Sequence, residues 1–206
     1  MLKILGRLSS VNVQKVVWAA GETGQAFERI DIGGPFGGNR EPAYLAKNPN
    51  GQVPVLEYGD VHIWESNAIV RYIAARYGRD TIWEEDPAKR SEGDRWMDWA
   101  LGELQRVMVP AFWGLMREPA TADPTAIANS ITRTEHCLDM LEAHLAKGRS
   151  YVDGDRFGMA EIVLGPSVHR WLNMPVTRAP RPRLQRWYET IAAREAAQVA
   201  LPLPIA

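Results

Sequence analysis

The hydrophobic positions change their period part-way along the chain. Residues 1–5 are almost continuously apolar, as in a short buried strand. After the polar pair Ser9-Ser10, Val13, Val16, Val17 and Ala20 recur at the spacing of one helical face. Residues 27–32 alternate between flanking glycines and predict a second strand. A glycine-rich loop over 33–39 and a short helix over 41–47 follow. Residues 53–58 and 61–64 then predict two strands joined by the two-residue turn Gly59-Asp60. Ser66 opens a helix whose stripe is Ile69, Tyr72, Ile73 and Tyr77 and whose end is Gly78. The order is βαβαββα. One crossover gives a parallel pair and the hairpin an antiparallel pair, so the predicted sheet is mixed.

From Pro87 onward the strand signals stop. Trp96, Trp99, Ala100, Leu104, Val107 and Ala111 follow helical spacing, with a break or kink expected at Pro110. Asp123-Pro124 is a helix cap followed by proline at the first helical position, and Ile127, Ile131, Leu138, Leu141 and Leu145 carry that helix toward Gly148. A third helix is expected around Ala160–Trp171 and a fourth around Leu184–Ile191. The fold class is therefore α/β followed by all-α: a domain over 1–78, a polar linker over 79–88, and an all-helical domain over 89–206.

Composition narrows the chemistry. Hydrophobic residues are 46% of 206 and charged residues 24%, enough to bury a core without metals or disulfides. Lys and Arg total 24 against 25 Asp and Glu, a net charge of −1 that argues against a nucleic-acid binder. The single cysteine, Cys137, leaves no disulfide framework, no thiolate zinc cluster and no CxxC dithiol. It lies beside a leucine stripe and is expected to be a core residue. The apolar start is too short for a secretory signal, and no stretch approaches the length of a membrane span, so a cytoplasmic setting with no membrane contact is expected.

Several motifs are missing. There is no phosphate-binding P-loop; GGPFGG carries proline where the dinucleotide fingerprint needs its middle glycine; and GPSVH is no nucleophile elbow. His62, His136, His144 and His169 lack metal-ligand spacing, so no metal is expected. The four arginines of RAPRPRLQR are read as a solvated segment opening a helix.

The informative stretch is 48–72, NPNGQVPVLEYGDVHIWESNAIVRY. Pro54 heads a strand and leaves Val53 extended. Glu65-Ser66 ends one strand and opens a helix. A hydroxyl and free N–H groups there make a carboxylate site, and Glu65 beside it offers an acceptor for an ammonium. That pair suits an amino-acid zwitterion, although from these residues alone a plain helix cap beside a solvated glutamate is the better reading.

NPNG-x-VP-x-L followed by W-E-S-N-A-I-x-R-Y resembles the glutathione-binding stretch of the glutathione S-transferase family, and the likeness spans essentially the whole chain. It is similar to bacterial serine-type members of theta-like or beta-like groups. The resemblance implies a thioredoxin-like first domain that binds glutathione and a helical second domain that supplies the electrophile pocket. It implies a cis Val53-Pro54 bond, with Val53 pairing to the cysteinyl backbone of glutathione and Glu65 with Ser66 holding its γ-glutamyl end. Gln52 and Asn39 join the implied glutathione-binding set, with Asn39 or Arg40 near the glycyl carboxylate. Ser10 falls where serine-type members keep the hydroxyl that bonds the glutathione sulfur, and Asn12 follows two residues on. The alternative is that Ser9 or Ser10 merely caps the helix. Met108, Phe112, Trp113 and Met116 are the candidates for the electrophile pocket, though such a stripe also suits a core.

One departure stands out. Where the family often has Ser or Thr opening a helix of the second half, this chain has Gly158, with Glu161 three positions on. Glycine caps without a side-chain bond, so a weaker cap is expected. The implied activity is a transferase that adds glutathione, as co-substrate, to a small hydrophobic electrophile by conjugation, thiolytic dehalogenation or peroxide reduction. The alternatives are a glutathione-dependent disulfide reductase and a non-catalytic binding module. The resemblance also implies a homodimer.

Overall fold

The computed structural model describes residues 1–205. The first half is a four-stranded sheet with helices: β1 (Leu2–Leu5), α1 (Val11–Glu22), β2 (Phe27–Ile30), a single 3-10 turn at Gly34–Phe36, α2 (Pro42–Leu45), β3 (Val55–Tyr58), β4 (Val61–Trp64) and α3 (Ser66–Tyr77). The sheet order is β2-β1-β3-β4, with β1 parallel to β2 and antiparallel to β3, and β3 antiparallel to β4. The expected mixed sheet is present. In the hairpin, Gly59 takes φ +58°, the conformation a glycine-first tight turn needs.

The second half is helical: α4 (Pro87–Trp99), α5 (Arg106–Phe112), α6 (Pro124–Leu145), α7 (Met159–Leu172), α8 (Pro182–Ala192) and α9 (Glu195–Ala200). The cap signal at Asp123 holds. Asp86 accepts from the Ala88 N–H at 2.9 Å and Asp123 from the Thr125 N–H at 2.8 Å. Of the break or kink expected at Pro110, the break is absent. Helical conformation continues from Pro87 to Arg117, with wide π-turns at Ala100–Gln105 and Trp113–Arg117 on either side of the proline. Proline removes one N–H donor and crowds the preceding turn, and wider turns nearby give the ladder room to continue. The Glu118 N–H, for instance, donates to the Trp113 carbonyl five residues back at 2.8 Å.

The sequence shows an apolar stripe on one face of α1, but the helix is buried all round. Residues 13–20 are all inaccessible, including Gln14 and Lys15. α1 packs on α3 within its own half and on α7 and α9 of the helical half, so no side faces water. The approach is close enough that a side chain at Gly165 of α7 would collide with the Trp18 ring, and one at Gly21 with Ala196. Trp18 and Arg194 both donate to Glu22, at 2.9 Å and at 2.6–2.7 Å, which fixes the C-terminal end of α1 to α9.

The cap of α7 is also stronger than glycine alone would give. Glu161 is fully buried and accepts from the Val152 N–H, the Gly158 N–H and the Trp187 indole. The carboxylate of Asp153 stands where a side chain on Gly158 would be, and accepts from the Ala160 N–H at 3.4 Å. Burial raises the pKa of both carboxyls, and for Glu161 the charge on Asp153 adds to the rise.

Asp153 therefore substitutes for the missing capping side chain. Gly158→Ser should destabilise the protein by about 1–3 kcal/mol through overlap with that carboxylate. Adding Asp153→Ala should recover much of the loss, because the serine hydroxyl can then cap the helix itself. Urea unfolding of the two single mutants and the double mutant measures this; a double mutant no more stable than Gly158→Ser would remove Asp153 from the capping role.

Candidate functional site

Three chain segments meet beside the N-terminus of α1. The first is the turn before the helix. Ser10 is its N-cap residue, but the hydroxyl makes no capping bond. Its carbonyl accepts from the Val13 and Gln14 N–H groups, both at 3.0 Å, while the Val11 and Asn12 N–H groups have no acceptor among the described residues. An uncommitted hydroxyl and free helix N–H groups thus lie together.

The second segment is the loop ahead of β3. Three side chains pin it. Tyr44 Oη and Asn48 Nδ2 donate to the Gln52 carbonyl at 2.6 and 2.8 Å, and Asn39 Nδ2 donates to the Gly51 carbonyl at 2.7 Å. Burial pushes the Tyr44 phenol up to about 12, so it remains a donor. Val53-Pro54 is cis, and the Val53 N–H and C=O make no hydrogen bond among the described residues.

The third is the start of α3. Ser66 is the first helical residue and Glu65 the N-cap, one position earlier than the sequence suggested. Glu65 adopts φ +67°, the single non-glycine residue described with positive φ, a conformation that costs on the order of 1–3 kcal/mol. Its carboxylate is exposed. Ser66 is buried and donates from Oγ to Asn12 Oδ1 at 3.3 Å, joining the start of α3 to the start of α1.

A cavity of about 500 Å³ opens at this junction. Ser10, Asn12 and Gln52 line it from the first half, and Met108, Phe112 and Trp113 from the helical half. Met116 does not line it and packs against the core. Asn39, Val53, Pro54, Glu65 and Ser66 also lie outside its wall, and one N–H of the Asn39 amide is taken by the Gly51 carbonyl.

Two family patterns match the chain: the glutathione S-transferase N-terminal domain over residues 1–75 and the glutathione S-transferase C-terminal domain over 124–190. The sequence is 39% identical to glutathione S-transferase GstB of Escherichia coli strain K12, over the full length of both. It is 33% identical to glutathione S-transferase 3 of Zea mays, covering 98% of this chain and 96% of that one. Among solved structures it is similar to the theta class glutathione S-transferase of Xanthomonas axonopodis pv. citri with glutathione bound, at 42% identity and a TM-score of 0.96, covering 100% of this chain and 99% of that one.

The chain belongs to the glutathione S-transferase family.

For a glutathione S-transferase, the chemistry of the cavity matters as much as its place. Among the described residues no cluster of His, Cys, Asp and Glu could hold a metal ion, and no helix is long and apolar enough to cross a membrane. Burial pushes the Cys137 thiol up, away from reactivity. The sequence did not single out Arg7, Arg117, Gln105, Ser167 and Arg170, which also line the cavity. Arg170, Ser167 and Gln105 lie within predicted helices whose apolar spacing reports packing and gives no sign of a cavity. Arg7 and Arg117 lie where no period is read.

A second omission is Lys15. It is fully buried behind the site, with Nζ 3.5 Å from Asn67 Oδ1, and Asn67 in turn donates to the Met97 carbonyl at 2.7 Å. Burial lowers its pKa to about 7, opposed by the charge of Glu65. The folded state then binds fewer protons than the unfolded one between about pH 7 and the free-lysine value near 10.4. Stability should rise with pH across that window, by at most about 1.4 kcal/mol per pH unit. Tyr44 and Cys137 titrate with the opposite sign at its upper end, so the wild type is compared with Lys15→Met. Relative to the wild type, the stability of the variant should fall steadily as pH rises from 7 to 10 in urea unfolding. A pH-independent difference would mean that Lys15 is charged in the fold.

Proposed function

We propose that this glutathione S-transferase binds glutathione across the junction of α1, β3 and α3, stabilises its thiolate at Ser10, and adds it to an electrophile held against the helical half. The observation that carries this reading is the uncommitted Ser10 hydroxyl at the free N-terminus of α1, on the wall of the cavity. A thiol near pKa 8.5 is largely protonated at pH 7; a hydroxyl donor and a positive helix end favour the thiolate, and about 1.4 kcal/mol of such preference lowers the thiol pKa by one.

The steps follow from the positions of the groups. Ser10 Oγ–H donates to the sulfur, the thiol proton leaves to solvent, and the sulfur attacks the electrophile while its leaving group departs. Asn12 orients Ser66 and lies beside Ser10. Val53, followed by Pro54, offers a free N–H and C=O to the cysteinyl backbone, in the manner of an added strand. The exposed Glu65 carboxylate takes the γ-glutamyl ammonium, and the Ser66 N–H at the start of α3 takes its carboxylate. The positive φ of Glu65 supports this, since strained backbone tends to be kept where a site needs it. Gln52 faces the tripeptide from the pinned loop, and Asn39 holds that loop in place. The electrophile rests on Met108, Phe112 and Trp113.

We place the protein in the cytoplasm as a homodimer, with one site per subunit. Sedimentation at micromolar concentration should give about twice the 23.1 kDa chain mass, and a 23.1 kDa species alone would refute the dimer.

Ser10 and Glu65 should separate kinetically. Ser10→Ala is expected to lower kcat by orders of magnitude with little change in glutathione affinity, because the hydroxyl acts on sulfur. Glu65→Gln should raise the dissociation constant for glutathione about tenfold to hundredfold, the worth of one charged hydrogen bond. Steady-state kinetics with calorimetry tests both; wild-type turnover in Ser10→Ala would move the role to Ser9 or Asn12.

A further inference from the structure

Three guanidinium groups converge on the electrophile side of the cavity with no carboxylate to balance them. Arg7 enters from the turn before α1, Arg117 from the end of the long helix, and Arg170 from α7. Elsewhere the buried Arg181 pairs with Glu135 and Asp139, and the part-exposed Arg194 pairs with Glu22. None of the three lies within ion-pair distance of an acidic group among the described residues. The one carboxylate on the cavity wall, Glu118, is exposed at its mouth.

Their placement is fixed by specific contacts. Arg170 lies over the Phe112 ring at 3.9 Å and donates one Nη2–H to the Ser9 carbonyl at 2.8 Å, which leaves the rest of its fork free. Arg117 approaches the same ring at 5.5 Å from the centroid. Arg7 Nε is buried without a partner. Burial lowers the pKa of Arg170 to about 9, with the charges of Arg117 and Arg7 contributing, and Arg7 is lowered by burial and then by Arg117. Three guanidinium groups so placed repel one another. Unbalanced charge in a half-buried site is costly unless a ligand supplies the counter-charge.

We propose that the electrophile subsite takes an aromatic electrophile bearing a carboxylate, its ring on Met108, Phe112 and Trp113 and its carboxylate in the forks of Arg170 and Arg117. The planar guanidinium matches a carboxylate in two-point geometry. This rests on the transferase reading above. The competing source of a carboxylate is the glycyl end of glutathione itself.

A matched pair of substrates separates these. In 4-chloro-3-nitrobenzoate and its neutral 4-chloro-3-nitrobenzamide, the glutathione sulfur forms a bond to the ring carbon, the C–Cl bond breaks, chloride leaves, and the thiol proton passes to solvent. With each rate divided by its uncatalysed rate, the wild type should prefer the benzoate at least tenfold in kcat/KM. Arg170→Met and, separately, the less enclosed Arg117→Met should each reduce that preference severalfold or more. A preference unchanged in both variants would overturn the proposal, as would a rise in the KM for glutathione equal to the loss with benzoate. A binding arm is independent of turnover: calorimetry of the glutathione-saturated protein with 3-nitrobenzoate and 3-nitrobenzamide. Arginine-dependent preference for the benzoate there, with no turnover of either chloride, would sustain the anion subsite and fail the transferase reading. Equal binding of the two would fail the subsite.

Discussion

The structure depends on the burial of α1. A helix inaccessible on every side is held by two layers at once: its own sheet with α3, and α7 with α9 of the helical half. Its N-terminus is therefore placed by the core of the whole molecule rather than by a loop. That matters because the Ser10 hydroxyl and the free N–H groups of the first turn sit at that end. The opposite end is fixed by Arg194, Trp18 and Glu22. A site built on such an element is held in position by packing.

The same burial explains where the sequence could and could not be read. Period and turn residues place the strands, the Gly59-Asp60 hairpin and the Asp123 cap, because each depends on neighbours in the chain. Lys15 is different. On the sequence it is one polar residue among a stripe of valines, and it becomes interior through packing that the sequence does not show, with Nζ 3.5 Å from Asn67 Oδ1 of α3. Pro110 is a second case: a local rule foretells interruption, while the packing of a long helix and its π-turns carry the chain through. α9 is too short, at six residues, to show a period, and it exists because α1 is there to pack against.

The candidate site was legible in proportion to how local its signals are. Val53-Pro54 and Glu65-Ser66 are adjacent pairs in a recognisable stretch, and Ser10 lies just before a helical stripe. What joins them is not adjacent: Asn12 meets Ser66 across 54 positions, and Asn67 reaches the Met97 carbonyl across 30. These bonds tie the starts of α1 and α3 to each other and to α4. Asn39 shows the converse. Its place in a glycine-rich loop left a ligand contact and a solvated loop equally open; one N–H of its amide donates to the Gly51 carbonyl.

The distribution of charge completes the account. The interior ionic groups named above are neutralised within the fold: Arg181 by carboxylates, Glu161 by three N–H donors and a raised pKa, Lys15 by a lowered one. Each follows from the cost of charge in a poor solvent, which is relieved by pairing or by a change of protonation. Arginine has little scope for the second route, since its pKa is too high. Around the cavity the first route is also unused, and Arg7, Arg117 and Arg170 stand without carboxylate partners. The positive field there is left by the fold for whatever enters. On the reading proposed above, an incoming carboxylate supplies the missing counter-charge, and the same field favours an ionised sulfur at the cavity over the thiol.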